Sequence, residues 1–457
     1  MQAWALARNA NSISQLYYNL RYEGNPGLFH LFLFVASRFT DNYYFLKYFN
    51  FLFIVLAVFL VGVFAPFKNW QKVLLVFGYY FLYEYGTVSR HYALTLLLTI
   101  VGIISFRLRD KNPFLFVLLS SLVAFTSPYG TLISLTLLLT ASFVWVKNRN
   151  FENPWLKIAS LMFGFALLAL TVVLASPPED GSYMLYRTYK DPKLAMETVA
   201  RVWQAYVPIP RNEADSWNSN FVKNLDLRFG FSVVLFLFIA FLLRKKPTAL
   251  VFYLIGTFLI LLFCYIKFSG AVRHYGHLYL IFFSAMWLYF EEAQDKKSLD
   301  RNILQFLFSV ILIVQIIPSA IFFLRDFREP FSNAEAAAKY IKDSGREGFY
   351  LIGDDDTETI PVANYLKKEM YLSKNKKERF FIKYDQNRTT NNGLVSRMIS
   401  SATELSKKNP NILLILDYPL ETNLYPVTLL KQYGPTLSSS RGLYIYEFNA
   451  ISLPTGI

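Results

Sequence analysis

A single cysteine, Cys264, stands in 457 residues, so no internal disulfide can form and the redox compartment stays undetermined. Charge is scarce as well. Asp, Glu, Lys and Arg together make up 17% of the chain, less than a soluble domain of this size carries. The first 27 residues are polar and hold no apolar run that a cleavable signal peptide would need. No glycine-rich phosphate loop stands at a strand–helix turn, which leaves nucleotide binding unsupported. Histidine occurs four times only, at His30, His91, His274 and His277.

What is present is apolar. Hydrophobic residues reach 54% and aromatics 18%, and apolar runs of roughly 16 to 22 residues recur between positions 45 and 324. Such runs are long enough for a hydrocarbon layer of about 30 Å. The expected architecture is a polytopic α-helical membrane protein of about ten transmembrane helices with a small C-terminal α/β soluble domain. The helices are expected near 45–65, 73–88, 92–107, 114–126, 131–146, 158–175, 227–243, 247–266, 273–290 and 303–324. The net charge of +14 by itself suggests nucleic acid, but its distribution argues against it. The basic residues form short clusters between apolar runs, not a basic soluble face with interleaved aromatics.

Those clusters set an orientation. Lys68/Lys72, Arg107/Arg109/Lys111, Lys147/Arg149/Lys157, Arg244/Lys245/Lys246 and Lys296/Lys297/Arg301 fall in every second connection, so the positive-inside rule makes these connections cytoplasmic. Three segments then face outward. Residues 1–44 form a first outer loop with an amphipathic stretch around 28–39. Residues 176–226 form a long outer loop, in which 192–206 is expected to lie on the membrane with Leu194, Val199, Val202, Trp203 and Tyr206 inward. Residues 325–457 form the outward soluble domain, and the membrane domain spans 45–324. In the soluble domain, Ser332 and Glu335 read as a capping box and Gly345 as the helix stop. Strands are expected at 349–352, 380–384, 412–416 and 443–448, with helices near 361–371 and 394–408, giving a largely parallel sheet. Asp354, Asp355 and Asp356 follow the first strand and read as a solvated loop.

Arg-His-Tyr occurs twice, as Arg90-His91-Tyr92 and Arg273-His274-Tyr275, each time opening an apolar run on the same outer face. Cationic and titratable groups are expensive near hydrocarbon, so their gathering at one rim points to an anion site. Arg90 and Arg273 begin helices running inward, where each guanidinium would reinforce a helix N-terminus. Arg8 and Arg21 on the first outer segment are placed to close over the same anion. His91, Tyr92, His274 and His277 are candidates to contact a ligand at this rim, and His30 is a candidate base near neutral pH. Capping or interfacial snorkelling is the plainer role for each of these residues taken singly. Glu84 lies in an apolar helix six residues before Arg90, so its carboxylate should be functional or salt-bridged to Arg90. Glu23 precedes the Gly24-Asn25-Pro26-Gly27 turn and orients that loop; Glu84 and Glu23 are each a candidate surrogate base, with a structural role the plainer one. No metal-ligand set is evident. A divalent metal is left open only by the i,i+3 spacing of His274 and His277.

Ala3-Trp4-Ala5-Leu6-Ala7-Arg8, Leu20-Arg21-Tyr22-Glu23-Gly24-Asn25-Pro26-Gly27-Leu28, Ser89-Arg90-His91-Tyr92-Ala93-Leu94 and Arg273-His274-Tyr275-Gly276-His277 together resemble signatures of GT-C membrane glycosyltransferases. The similarity is to bacterial relatives of the protein O-mannosyltransferase group. That resemblance implies a GT-C-like fold in a bacterial plasma membrane and transfer of a sugar from a polyprenyl-phosphate donor. The acceptor would be a lipid, a glycan or a protein. It also implies a transmembrane helix followed by an Asp or Asp-Glu pair just before Gln2, where Met1 stands. The expectation is therefore that Met1 is an internal methionine of a longer protein, or that this copy is truncated and lacks its catalytic acid. The alternatives are a transporter or flippase of a lipid-linked substrate and a non-catalytic envelope assembly protein.

Overall fold

A computed structural model describes residues 1–149, 152–182, 191–211, 217–292, 299–386, 388 and 395–449. Six helices are long and apolar enough to cross a membrane: Phe45–Phe64, Pro128–Lys147, Pro154–Ala175, Leu225–Leu243, Pro247–Ile266 and Leu299–Arg328. The chain is thus a multi-pass membrane protein carrying a small C-terminal sheet domain. The other expected spans are also helical. Val272–Glu292 is continuous, whereas Tyr92–Ser105 and Pro113–Leu122 are each extended by one short 3-10 turn. The expected 73–88 span is broken into an α-helix, Asn69–Val76, and a π-helix, Tyr80–Thr87.

Local chemistry explains several helix starts. Pro113 and Pro128 occupy the first turn, where a missing N–H costs nothing. Ahead of them, Asn112 accepts from the Leu115 amide at 3.1 Å and Ser127 from the Gly130 amide at 3.0 Å.

Burial sorts the helices. Every residue from Tyr275 to Phe290 is buried, so Val272–Glu292 is the central helix of the bundle. It packs against Pro247–Ile266, Tyr92–Ser105 and the short helix Arg201–Tyr206. Pro154–Ala175 and Leu225–Leu243 instead present apolar side chains outward, with Trp155 81% and Val234 67% exposed. Polar groups turn inward and pair with each other: Thr95 with Thr126 at 2.9 Å, Gln71 with Ser309 at 2.9 Å, and Gln315 with the Ala205 and Tyr206 carbonyls.

The two ends of the bundle differ. At one end Arg107 pairs with Glu291, and Arg244 and Lys245 share Asp300 at 3.2 and 2.9 Å. These are members of the basic clusters anticipated on one side; Lys296 and Lys297 lie outside the described residues. At the other end residues 1–44 fold into Gln2–Arg8, Ile13–Leu20, a 3-10 turn Arg21–Glu23, and Leu28–Ser37. This collar touches both the bundle and the tail domain. Residues 192–206 form two helices, Pro192–Val199 and Arg201–Tyr206, rather than one. Val202 and Tyr206 are fully buried against the bundle, so the second helix is part of its packing and not a raft on its surface.

The tail domain contains β1 (Tyr350–Gly353), β2 (Met370–Leu372), β3 (Lys377–Arg379), β4 (Ile412–Leu416), β5 (Val427–Tyr433) and β6 (Leu443–Phe448), in the order β3-β2-β1-β4-β6-β5. Only β1–β2 and β1–β4 are parallel, so the sheet is mixed rather than largely parallel. Helices Ala334–Asp343 and Asp356–Tyr365 contribute to one of its two hydrophobic clusters, and Val395–Ser406 contributes to the other. Two local expectations are corrected here. Glu335 forms no capping box, because its carboxylate accepts from the Tyr43 and Tyr44 hydroxyls of the collar. Residues 380–384 do not join the sheet: Phe381 packs on the membrane core, Ile382 pairs with Gln2, and Tyr384 accepts from the Ser182 amide at 2.9 Å. Gly345 does end its helix, at φ +69°.

Candidate functional site

The two Arg-His-Tyr copies meet where bundle, collar and tail converge. Arg90 and His91 immediately precede the helix Tyr92–Ser105, and Arg273, His274 and His277 occupy the first turns of Val272–Glu292. The Tyr92 ring lies 6.0 Å from His274 and 5.8 Å from His277, centroid to centroid. Arg90, His91, Arg273 and His274 are all partly exposed. Arg90 makes no hydrogen bond or ion pair to any described residue, and its pKa is lowered by burial and then by the neighbouring Arg273 charge. Arg273 likewise has no carboxylate partner among the described residues. Its guanidinium lies 5.4 Å from the Trp217 ring, is bonded to Tyr92, and leaves Nε without a partner. Two neighbouring guanidinium groups, neither ion-paired to a described residue, can together receive an anion.

The helix N-termini contribute unequally. The first helix after Arg90 has no side-chain cap, so its leading amides stay available. At Arg273, by contrast, Asn218 accepts from the Val272 amide at 3.1 Å and His274 Nδ1 accepts from the Ala271 amide at 2.8 Å. That terminus is already occupied by protein groups, and Arg273 must act through its side chain alone.

The collar supplies a carboxylate–imidazole couple. Glu23 Oε1 accepts from Gln2 at 2.7 Å, and Glu23 Oε2 lies 3.8 Å from His30 Nε2. Burial raises the Glu23 pKa against the pull of Gln2, Asn25 and the Arg90 charge, which places this couple beside Arg90. His30 is 3% exposed, and burial lowers its pKa to about 4. His91 is depressed well below the usual imidazole value by burial first, then by His30, His277, Arg90 and Arg273. Both imidazoles are therefore neutral near pH 7, and the depressed pKa makes each a weaker base than free imidazole. Met1 lies close enough for the Arg90 and Glu23 charges to act on its amino group, so the position before Gln2 borders the same cluster.

Glu84 is not salt-bridged to Arg90. Its Oε2 accepts from the Tyr79 hydroxyl at 2.6 Å and the Trp217 indole at 3.0 Å, while Oε1 is buried without a partner. The π-helical turn that carries it is held by Asn50, which donates to the Tyr85 and Gly86 carbonyls at 3.2 and 2.5 Å. Such turns recur at functional positions. Here Glu84 supports Trp217, which in turn supports Arg273.

Other expected members are placed differently. Arg21 donates to the Ser176 carbonyl at 2.8 Å, and Arg8 lines a separate cavity, so neither closes over the Arg90–Arg273 pair. His277 is fully buried. Its Nδ1 donates to the His274 carbonyl at 2.7 Å and its ring stacks on Tyr129 at 4.7 Å, which removes it from contact with a solvent-borne ligand. His274 Nδ1 and His277 Nδ1 are each engaged by a backbone group, and no group of three or more His, Cys, Asp or Glu able to hold a metal occurs among the described residues. The Asp354–Asp356 run is not a solvated loop. Asp354 accepts from Ser373 and Tyr418, Asp355 caps the Thr357 amide, and Asp356 forms a two-pronged pair with Arg388 at 2.8 Å.

Several contributors carried no sequence signal of their own. Trp217 and Tyr129 reach the cluster only through tertiary packing, as does Tyr384, whose phenol feels Glu23 and Arg90 from the tail domain. Where Ala93 follows the first Arg-His-Tyr copy, Gly276 directly follows the second. A Cβ there would collide with the Tyr80 ring and the Tyr85 hydroxyl, so glycine is what lets the aromatic floor close on the central helix.

Comparison with family models, with curated proteins and with solved structures finds no match for this chain.

Proposed function

We propose that this multi-pass membrane protein is a glycosyltransferase that takes a sugar from a polyprenyl-phosphate donor and passes it to a lipid, glycan or protein hydroxyl. The observation that carries the reading is the pair of neighbouring guanidinium groups, Arg90 and Arg273, neither of them ion-paired to a described residue, beside the neutral imidazole of His30 and its companion Glu23. In this reading the acceptor oxygen attacks the anomeric carbon as the bond to the carrier phosphate breaks. His30 takes the acceptor proton, and Arg90 and Arg273 hold the charge gathering on the departing phosphate. The sequence resemblance puts the acid of the GT-C proteins immediately before Gln2, a position that borders Arg90 and Glu23. The same reading makes the ten helical segments ten spans of a bacterial plasma membrane, with collar and tail domain on the outer side. No metal is required by these steps.

The test is an assay in vesicles holding the purified chain and a radiolabelled polyprenyl-phosphate hexose. Label passing from the carrier to an acceptor, and failing to do so in Arg273→Gln, supports transfer. Movement of intact carrier across the vesicle without transfer would make the protein a transporter or flippase. Binding with neither outcome would make it a non-catalytic assembly protein.

A further inference from the structure

Apart from the cluster just described, a cavity of ≈ 270 Å³ opens between the collar and the tail domain, with Trp4 and Arg8 on one side and Asn364 and Tyr365 on the other. Asn364 is 3% exposed, yet neither its amide nitrogen nor its amide oxygen has a partner. Trp4 is 1% exposed and its indole N–H is equally unpartnered. Buried polar groups in folded proteins are rarely left so, and two lining one cavity point to a ligand that satisfies them. The amide offers a donor and an acceptor side by side, the pattern that a pair of neighbouring sugar hydroxyls completes. Aromatic surface is supplied by Tyr43 and Tyr365, packed edge to face at 4.9 Å, which suits the C–H face of a pyranose. Charge at the rim is selective. Asp41 is already bonded to Lys367 at 2.8 Å, whereas the Arg8 guanidinium makes no hydrogen bond to any described residue. The volume falls just below the range of about 300–1,000 Å³ typical of drug-sized ligands, so the occupant is a single ring rather than a chain.

We propose that this cavity is a saccharide subsite that takes one hexose bearing an anionic substituent, either a carboxylate or a phosphate, with Asn364 and Trp4 reading hydroxyls and Arg8 the anion. Binding here does not depend on the transferase reading, and it is measured without turnover. Full-length protein in lipid nanodiscs is titrated calorimetrically with glucuronic acid, glucose 6-phosphate and glucose, and its unfolding temperature is followed in parallel. Both anionic sugars should bind about tenfold or more tightly than glucose, and Arg8→Gln should erase that preference. Preference for one anion alone identifies the substituent. Asn364→Leu should abolish binding of all three sugars while raising the unfolding temperature of the ligand-free protein, because it removes an unpaired buried amide. Should that variant fail to fold, Trp4→Phe keeps the ring and removes the N–H, and it should weaken binding about tenfold. Wild-type binding in Asn364→Leu or Trp4→Phe overturns the proposal, as does the absence of any binding on the order of 10 mM sugar.

Discussion

Replacing Arg90 with glutamine should change ligand-free stability and anion affinity in opposite directions. In the ligand-free protein the Arg90 guanidinium is buried enough to depress its pKa, lies beside Arg273, and makes no ion pair or hydrogen bond to any described residue, feeling Glu84 and Glu23 only at longer range. Removing it relieves desolvation and like-charge repulsion, so the unfolding temperature should stay level or rise. With a phosphate bound, the same change deletes charge-assisted hydrogen bonds of about 1.5–3 kcal/mol, or roughly 10- to 150-fold in Kd. Arg90→Lys keeps the charge but loses the fork of donors, and its affinity should fall between the two. The assay is titration of a polyprenyl monophosphate into protein held in nanodiscs, paired with thermal unfolding of the ligand-free forms. Arg90→Gln and Arg273→Gln should also be non-additive, since both groups grip one anion. Unchanged affinity in both single variants, or a sharp loss of ligand-free stability in Arg90→Gln, would refute the reasoning by showing that Arg90 already has a structural partner.

Four other outcomes are expected. Glu84→Leu strands the Tyr79 hydroxyl and the Trp217 indole and should cost roughly 2–4 kcal/mol, whereas Glu84→Gln keeps an acceptor and should cost about 1 kcal/mol or less; turnover lost in Glu84→Gln at full stability would make Glu84 catalytic instead. Gly276→Ala should destabilise by about 1–3 kcal/mol through collision with Tyr80 and Tyr85, measured as a lower unfolding temperature, and no change would mean the aromatic floor yields freely. His30, with its pKa lowered from 6.5 to about 4, refuses a proton that the unfolded chain accepts, so stability should fall by roughly 3 kcal/mol as pH drops through that window. The raised Glu23 carboxyl works in the opposite sense, because the folded chain takes up that proton first as pH falls; His30→Gln should therefore flatten the acid decline, and an unaltered pH profile would count against a buried neutral imidazole. Finally, Ser400→Cys on the exposed face of Val395–Ser406 should react with an impermeant maleimide on intact cells, since the native Cys264 is fully buried, and labelling only after permeabilisation would place the tail domain inside.

The helices were legible because a membrane imposes length and apolarity on contiguous residues. Each of the ten expected segments is helical, and six meet the criteria for a span outright. The segment at 73–88 misled because periodicity records apolar content, not hydrogen-bond register. Only the packing of Asn50 against the Tyr85 and Gly86 carbonyls explains a π-helix there. In the tail, residues 380–384 carry a strand-like composition, but a bundle surface near enough to receive Phe381 outcompetes the sheet edge.

For the candidate site, the repeated Arg-His-Tyr pattern and the spacing of basic clusters were enough to bring Arg90 and Arg273 to one end, because alternate connections must share a side. What local sequence could not determine is which neighbours each side chain would find. His277 lost its place to a stacked Tyr129, Arg21 found a carbonyl at Ser176, and Glu84 was taken by Tyr79 and Trp217. The Glu23–His30 couple forms within the collar once its turn folds back, whereas the unpaired Asn364 faces the cavity made where tail and collar meet. Sequence determined which segments are long and apolar enough to cross a membrane, since length and apolarity are properties of the chain. Tertiary structure decided which polar groups remained without partners, since that depends on every surface brought against them.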